Sequence, residues 1–349
     1  MMPLMGTRHK LLRSRGVALG LALGCSLLPL AAQKKPKTDN IQKPMAGPRA
    51  TALRVTWLYI SPNNGAQKVD RVQPGREMVV AEKSSDWLRV YANTDIQEES
   101  NDRDTPWVGS DNAPPPISGW MEARGVVIES TPDGDQVIMG EAANEEAAAS
   151  DPRGAANAAQ IARLLYRRVV EMFPNSPLAP EAAWRAADIQ WQIQKADQAS
   201  RPSAKEQQAY MREGLDEDAM KKVIKFYPNS KQADMAAYDL IDNKLCGDWQ
   251  GQPKCPEKES ELYEKYASEH PDGPRTAKAL YEALYRNAVL VDMFNADENS
   301  KKADNAKGHA HDLLARLKGK FAQSDYTARA AALVFKLDQG VPVYGIDRQ

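Results

Sequence analysis

The chain is poor in the residues that most often carry catalysis. Only four of its 349 residues are histidine and three are cysteine. Beyond residue 32 the histidines are His270, His309 and His311, and the last two lie about 200° apart on a helix, so one helix cannot direct both at one metal ion. No serine or carboxylate stands in a recognisable nucleophile or base motif. The sequence therefore predicts a protein that is not an enzyme and that uses no cofactor or metal.

An excess of one charge is also absent. The chain has 46 basic and 47 acidic residues and a formal net charge of −1, which excludes the strongly basic character of a nucleic-acid-binding protein. Past residue 32, no stretch is apolar over the roughly 20 residues that a membrane-spanning helix needs. We expect no nucleic acid partner and no transmembrane span in the mature chain.

Residues 1–32 are typical of a secretory signal peptide. A basic start without any acid precedes an apolar run at 17–28, and the small residues Ala31 and Ala32 follow. Cleavage after Ala32 predicts an exported, periplasmic protein, and an uncleaved membrane anchor is the alternative. The run Ala-Leu-Gly-Cys ending at Cys25 also resembles a lipobox, which would make Cys25 a lipid anchor and associate the protein with the outer membrane.

Export gives a meaning to the two remaining cysteines, Cys246 and Cys255. They flank a polar, turn-rich stretch of eight residues. In an oxidising compartment such a pair predicts a structural disulfide, which would stabilise the fold by about 2.5 to 3 kcal/mol through the entropy of the closed loop. A zinc site would need two more ligands nearby, and none is evident.

The chain contains an internal repeat. Phe173-Pro-Asn-Ser, followed by alanines, returns at Tyr227-Pro-Asn-Ser, with weaker copies at His270 and Phe321. Before each copy, bulky residues recur at i, i+3, i+4 and i+7, which is the spacing of an apolar stripe on a helix. Proline ends that helix, and the polar residues after it cap the next one. Residues 155–339 are therefore predicted to be helical hairpins that stack on their neighbours.

The first half of the chain has a different pattern. Residues 51–130 alternate apolar and polar residues in short runs, separated by turns such as Pro74-Gly75, which predicts a small antiparallel barrel. Residues 33–50 are interpreted as a flexible basic tether and 131–154 as a turn followed by a flexible or weakly helical linker. Residues 340–349 remain as a C-terminal tail.

The barrel residues resemble those of a known family. The order Val72-Gln-Pro-Gly, Trp87-Leu-Arg-Val and Gly119-Trp-Met is similar to that of the bacterial SH3-like (SH3b) domains. The chain departs from the family in having Tyr59-Ile60 where a Val-Arg pair is usual. It also has a long acidic insertion at 94–117, which includes Asp95. The resemblance implies an SH3-like fold and leaves the ligand open.

The repeats resemble a second family. The motif Tyr-x-x-Val-Val-x-x-Phe-Pro-Asn-Ser is similar to the tetratricopeptide-like repeats of periplasmic Tol-Pal-associated coordinators and of outer-membrane assembly lipoproteins. Pro174, Pro228 and Pro271 are 54 and 43 residues apart, more than the usual 34, so we expect extra helix or loop between hairpins. Together the two resemblances imply a multidomain β + α chain, in which a small SH3-like antiparallel β-barrel precedes an α-helical tetratricopeptide-like solenoid.

Aromatic residues are the candidate ligand-binding groups of the barrel. Tyr59, Tyr91 and Trp107 are candidates to hold a peptide, in the way that SH3 folds hold proline-rich segments. Three further tryptophans are predicted to lie in the barrel core, because its strands must bury something large. These are Trp57, Trp87 and Trp120.

Aromatic residues also mark the repeats. Trp184, Tyr238 and Tyr281 each lie about one turn into the second helix of a hairpin, where they are candidates to line a concave face. Packing within or between hairpins is the alternative role for them.

These observations favour a non-enzymatic, exported adaptor or scaffold that mediates protein–protein interaction in the bacterial cell envelope. Its partners would be envelope proteins that bind the repeats. The alternative is a protein that binds peptidoglycan, through its stem peptides or glycan, by means of the barrel. An enzyme, or the regulatory subunit of an enzyme, is a third hypothesis, and no motif supports it.

Overall fold

The computed structural model describes residues 46–95, 117–201, 214–247 and 249–344. Within these ranges an antiparallel β-sheet is followed by nine α-helices, so the predicted order of a β region and then an α region is confirmed. The predicted signal peptide with Cys25, most of the tether, Trp107 and most of the acidic insertion lie outside the described residues.

The sheet consists of the seven strands β1 (Arg49–Ala52), β2 (Thr56–Tyr59), β3 (Lys68–Val72), β4 (Glu77–Ser84), β5 (Trp87–Ala92), β6 (Ile117–Glu122) and β7 (Val126–Ile128). Their order in the sheet is β3-β2-β6-β5-β4-β1-β7, and every neighbouring pair is antiparallel. The apolar face of the sheet forms a core because alternate residues of the strands, among them Leu58, Leu88 and Met121, are fully buried.

The sheet begins inside the region interpreted as a tether. Arg49 and Ala50 of β1 pair with Val79 and Met78 of β4, and the Arg49 guanidinium lies 3.1 Å from the Glu77 carboxylate. The prediction that the tether extends to residue 50 is therefore wrong at its C-terminal end. Backbone hydrogen bonds to β4 hold Arg49 and Ala50 in the sheet. The start of the strand is not predicted because the residues just before it are rich in lysine and proline.

The helices that follow the sheet are α1 (Gly134–Ser150), α2 (Ala158–Met172), α3 (Ala179–Ser200), α4 (Asp218–Phe226), α5 (Lys231–Asp239), α6 (Lys254–Glu269), α7 (Thr276–Ala296), α8 (Ser300–Lys320) and α9 (Asp325–Asp338). After α1 they form four pairs. The repeat copies lie at the turns between α2 and α3, α4 and α5, α6 and α7, and α8 and α9.

The repeat phrase ends the first helix of each hairpin at an equivalent residue. Phe173, Tyr227, His270 and Phe321 are the C-caps of α2, α4, α6 and α8, and each backbone N–H donates to the carbonyl four residues earlier. Ser230 then caps α5, because its hydroxyl accepts the backbone N–H of Ala233 at 3.0 Å. Part of the long spacing between the first two copies is explained by α3, which has 22 residues.

Helix α1 replaces the predicted linker. Ile138 and Ala142 are fully buried against α2, and the Tyr166 hydroxyl of α2 donates to Glu146 at 2.6 Å. Of the flexible or weakly helical linker that the sequence predicts after a turn, the helical alternative agrees with the structure, but the segment is packed and does not act as a linker. The packing is hard to foresee because only three residues of α1 are buried, too few to form an apolar stripe.

A buried ion network joins the sheet to α2. Arg168 is fully buried, and its guanidinium lies 3.4 Å from the Asp95 carboxylate and 3.8 Å from that of Glu77. Asp95 in turn accepts the backbone N–H of Glu77. Asp95 belongs to the predicted acidic insertion, yet its side chain is fully buried. Its burial is possible because the positive charge of Arg168 compensates the negative charge of the carboxylate.

The Pro-Gly turn makes a second contact between sheet and helix. Gly75 has a φ of +79°, and a Cβ at this position would lie 2.7 Å from Leu164 Cβ. The sheet and the first hairpin are therefore in direct contact, which differs from the expectation of a barrel tethered to the repeats.

Candidate functional site

A groove of about 370 Å³ lies between α2, α3 and α4. Three alanines of α3, Ala183, Ala186 and Ala187, contribute to its lining, with Val170 from α2 and Val223 from α4. The groove exists because the alanines that follow the Pro-Asn-Ser turn are too small to fill the space between the neighbouring helices. Its volume is within the roughly 300–1,000 Å³ of ligand pockets.

Phe226 lines this groove, and most of its side chain is exposed to solvent. Its side chain is 63% exposed, although its neighbour Tyr227 is half-buried and packs against the cluster beneath α3 and α4. A large aromatic side chain beside an apolar depression is typical of a surface that binds another molecule.

The lining of the groove carries charges of both signs. Arg167 pairs with Glu171 at 3.2 Å on α2. Lys222 of α4 is exposed and forms no ion pair with the described residues. The basic lining residues are Arg163, Arg167 and Lys222, and the acidic ones are Glu171, Asp216 and Asp218. The groove is therefore electrostatically mixed.

Hydrogen bonds fix the chain where it enters α4. The Asn243 side chain accepts the backbone N–H of Leu215 at 2.9 Å and donates to the carbonyl of the same residue at 2.8 Å. Gln194 of α3 accepts the backbone N–H of Asp216 at 3.0 Å. These contacts from two other elements hold α4 beside α3 and so keep the groove open.

An aromatic surface covers the other face of the sheet. Tyr59 and Trp120 are directly paired across β2 and β6, and the Tyr59 and Trp87 rings meet edge to face with centroids 5.6 Å apart. Tyr91, two residues beyond Arg89 on β5, is half-buried on the same face.

The predicted barrel core is wrong in its tryptophans. Trp57 is 38% exposed, and Trp87 and Trp120 are only half-buried. The fully buried residues are their neighbours Leu58, Leu88 and Met121, because successive side chains of a strand point to opposite faces.

The three aromatic candidates in the repeats lie between helices. Trp184 donates its indole N–H to Asp239 of α5 at 3.3 Å. Tyr238 is buried, with its ring centroid 5.9 Å from that of Tyr263 and 5.3 Å from that of Tyr266. The ring centroids of Tyr281 and Tyr326 are 5.7 Å apart, joining α7 to α9. These positions favour the packing role that was the alternative for them.

The Asp239 carboxyl has a raised pKa. Burial raises the pKa of Asp239 to about 6, and the charge of Asp188 adds to the effect, whereas the hydrogen bond from Trp184 opposes it. This carboxyl lies at the interface of α3 and α5 and does not line the groove.

Cys246 and Cys255 lie at disulfide distance, with their Cα atoms 5.9 Å apart, which confirms the predicted pairing. The loop between them reaches the end of the chain, because the Trp249 ring lies about 6 Å from those of Tyr285 and Tyr344. The sulfurs therefore fasten a loop that also holds the C-terminal segment.

Comparison of the chain with protein-family models and with curated proteins returns no match. The family resemblances seen in the residues stay predictions. In the ranges that the structure describes, no helix is long and apolar enough to cross a membrane. No group of three or more His, Cys, Asp or Glu residues in those ranges is placed to hold a metal ion.

The residues that line the groove are not among those predicted from the sequence. Phe226 directly precedes the stripe residue Tyr227, so it lies off the apolar stripe of α4. The one sequence signal for this site is that a bulky apolar residue, Phe226, lies outside the apolar stripe of its helix. Trp107 lies outside the described residues, so its candidate role stays a prediction.

Proposed function

We propose that the protein is a non-enzymatic adaptor of the bacterial cell envelope, and that the groove between α2, α3 and α4 binds a segment of a partner protein. The observation that carries the proposal is Phe226, which is 63% exposed beside a groove lined by alanines. The signal-peptide pattern and the disulfide-distance cysteine pair support the assignment to the periplasm.

The proposal includes a finer description of the fold. The sheet is an SH3-like barrel, supported by the Pro74-Gly75 turn and by the adjacent antiparallel strands β5 and β6, which carry Trp87 and Trp120. The four hairpins are a tetratricopeptide-like solenoid, supported by the equivalent C-caps at each repeat copy. Arrays of this kind bind other molecules far more often than they catalyse reactions.

The lining of the groove limits the chemistry of the partner. An alanine-lined apolar groove accepts one or two bulky aliphatic or aromatic side chains as anchors. The mixed charges around it favour a segment that carries both acidic and basic residues beside these anchors. An amphipathic segment of a protein, bound through its apolar face, meets both requirements.

A photo-crosslinking amino acid at position 226 tests the proposal in cells that produce the full chain. We expect a discrete adduct with one envelope protein, which mass spectrometry identifies. The purified partner should then bind Phe226→Ala about tenfold or more weakly than the unsubstituted protein, as expected for an exposed aromatic anchor.

Phe335→Ala is the matched control, because Phe335 is 65% exposed on α9, far from the groove in the chain. Circular dichroism establishes that both variants fold. Equal affinity of the partner for Phe226→Ala and the unsubstituted protein would remove the groove from the binding site.

Peptidoglycan binding is a second candidate function, and the exposed aromatic face of the sheet favours it. Tyr59, Trp87 and Trp120 present ring surface that sugars and stem peptides could cover. Mature protein should then sediment with purified sacculi, and Trp87→Ala should abolish sedimentation while Phe226→Ala retains it. Sedimentation that both variants keep would exclude this face as the wall-binding surface.

A further inference from the structure

The β2–β3 hairpin has an unusual concentration of exposed apolar side chains. Eight large apolar residues are exposed in the part of the chain that the structure describes, and four of them belong to this hairpin and the residue before it. They are Val55, Trp57, Ile60 and Val69, with exposures of 46%, 38%, 62% and 44%.

Two cations accompany this apolar surface. The Lys68 ammonium lies 4.4 Å from the centroid of the Trp57 ring, and the Arg71 guanidinium lies 5.5 Å from it. Neither cation forms an ion pair with a described carboxylate. Both charged groups therefore lie against the indole as cation–π contacts, and both residues are exposed to solvent. Asp70, the acid between them, pairs with Leu58 and so belongs to the opposite face of the hairpin.

The hairpin is poorly suited to receive a further strand. Strand β3 is at one end of the sheet, but the register shifts between Leu58 and Tyr59. Such a bulge increases the local twist, and bulges and charged residues are the devices by which proteins prevent strand addition at an edge. A partner that lies against the surface of the hairpin therefore fits better than one that extends the sheet.

We infer that the β2–β3 hairpin docks on the surface of an anionic phospholipid bilayer. Tryptophan prefers the boundary between headgroups and acyl chains. Val55, Ile60 and Val69 add exposed aliphatic side chains within the same short segment of the chain. Lys68 and Arg71 then lie at the level of the phosphates, where each unpaired cation gains from the negative surface potential. The inference does not depend on the groove, so it stands or falls separately from the adaptor proposal.

Co-flotation of the mature chain, begun at residue 33 so that it carries no lipid, tests this inference. The vesicles are phosphatidylcholine alone and an equimolar mixture of phosphatidylcholine and phosphatidylglycerol. We expect binding to the anionic vesicles, weaker binding at high salt, and a loss of about tenfold or more for the double variant Lys68→Ala/Arg71→Ala. Trp57→Ala should weaken binding as well, because it removes the apolar anchor.

Matched controls separate the hairpin from general charge and general hydrophobicity. Lys258→Ala/Lys301→Ala removes two exposed lysines from α6 and α8, and Phe335→Ala removes an exposed aromatic residue from α9. Both should bind vesicles like the unsubstituted protein. Thermal unfolding of every variant establishes that the fold is intact.

Three results would overturn the inference. The first is the absence of binding to anionic vesicles. The second is undiminished binding by Lys68→Ala/Arg71→Ala, which would assign membrane binding to the basic residues of 33–45. The third is retention on peptidoglycan sacculi without any binding to vesicles, which would assign the hairpin to the cell wall.

Discussion

Two tryptophans of α3 show how single residues connect the repeats. Trp184 and Trp191 lie seven residues apart, and their indole N–H groups donate to Asp239 and Asp242 at 3.3 and 3.4 Å. Both acceptors lie at the end of α5 or in the 3₁₀ turn that follows it. The two carboxylates therefore fix the position of the second hairpin against the first, and Asp239 does so from a half-buried site.

The half-buried Asp239 carboxyl predicts a dependence of stability on pH. Burial raises the pKa of Asp239 to about 6 in the folded protein, from about 3.9 in the unfolded chain. Its contribution to stability is therefore fully present below pH 4 and is lost as the pH rises through 6. Asp239→Asn keeps an acceptor for Trp184 without the charge, so it should raise the free energy of unfolding by about 1 to 3 kcal/mol at pH 7.5.

Urea unfolding between pH 4 and pH 8 measures this effect. The advantage of Asp239→Asn should shrink toward zero as the pH falls to 4. Asp304→Asn is the control, because Asp304 is exposed on α8 and should change little at any pH. An advantage of Asp239→Asn that is the same at all pH values would mean that charge burial is not its cause.

At the scale of elements, the disulfide loop holds the C-terminal segment. The Gly251 backbone N–H donates to the Tyr344 hydroxyl at 3.1 Å. On the other side of the segment, Asp292 of α7 accepts the backbone N–H groups of Val343 and Tyr344. The last described residues are therefore part of the packed structure, in contrast to the predicted tail.

The joint contact predicts that the loop and the C-terminal segment loosen together. Cys246→Ser/Cys255→Ser should lower the free energy of unfolding by about 2.5 to 3 kcal/mol, and should raise hydrogen exchange at Val343 and Tyr344 more than in α2. Tyr344→Phe, which keeps the disulfide and loses one hydrogen bond, is the control and should have a much smaller effect. Unchanged exchange at the two C-terminal amides after loss of the disulfide would separate the loop from the C-terminal segment.

The elements differ in how far the sequence predicts them. Helix ends at Phe173 and Tyr227 are predictable because proline follows each of them and the stripe before them is regular. Helix α1 is not, because only Gly134, Ile138 and Ala142 of it are buried. The exposed position of Trp57 is also unpredictable, since alternation assigns a residue to one of two faces without saying which face is covered. The groove escapes prediction because two hairpins form it jointly.

At the scale of the whole molecule, Arg168 is the main charged link between sheet and helices. Its guanidinium lies 2.7 Å from Glu171 in addition to the sheet carboxylates, although this pair is too poorly aligned for a hydrogen bond. The network places one cation among Glu77, Asp95 and Glu171, with Arg49 and Arg76 on its outer side. Removal of the central cation leaves the buried carboxylates of Glu77 and Asp95 with only the more exposed Arg49 and Arg76 as ion-pair partners.

Arg168→Ala should therefore lower the free energy of unfolding by about 3 to 5 kcal/mol. We also expect the sheet to unfold separately from the helices, visible as a second transition in urea and as new protease cleavage near residue 130. Arg153→Ala breaks an exposed pair with Asp151 and should cost less than about 1 kcal/mol. A loss of stability no larger than that of the control would show that the network contributes little.

Because helix α1 is packed, the chain would bind two targets at once through surfaces that are held at a fixed separation. A flexible connection lets one bound module search for a second target, with an effective concentration that falls gradually as the connection lengthens. Here α1 and the Arg168 network hold the sheet against the first hairpin, so the span between the sheet surface and the groove has one fixed value. Simultaneous engagement then gives a large gain in avidity when the targets match that span and none when they do not.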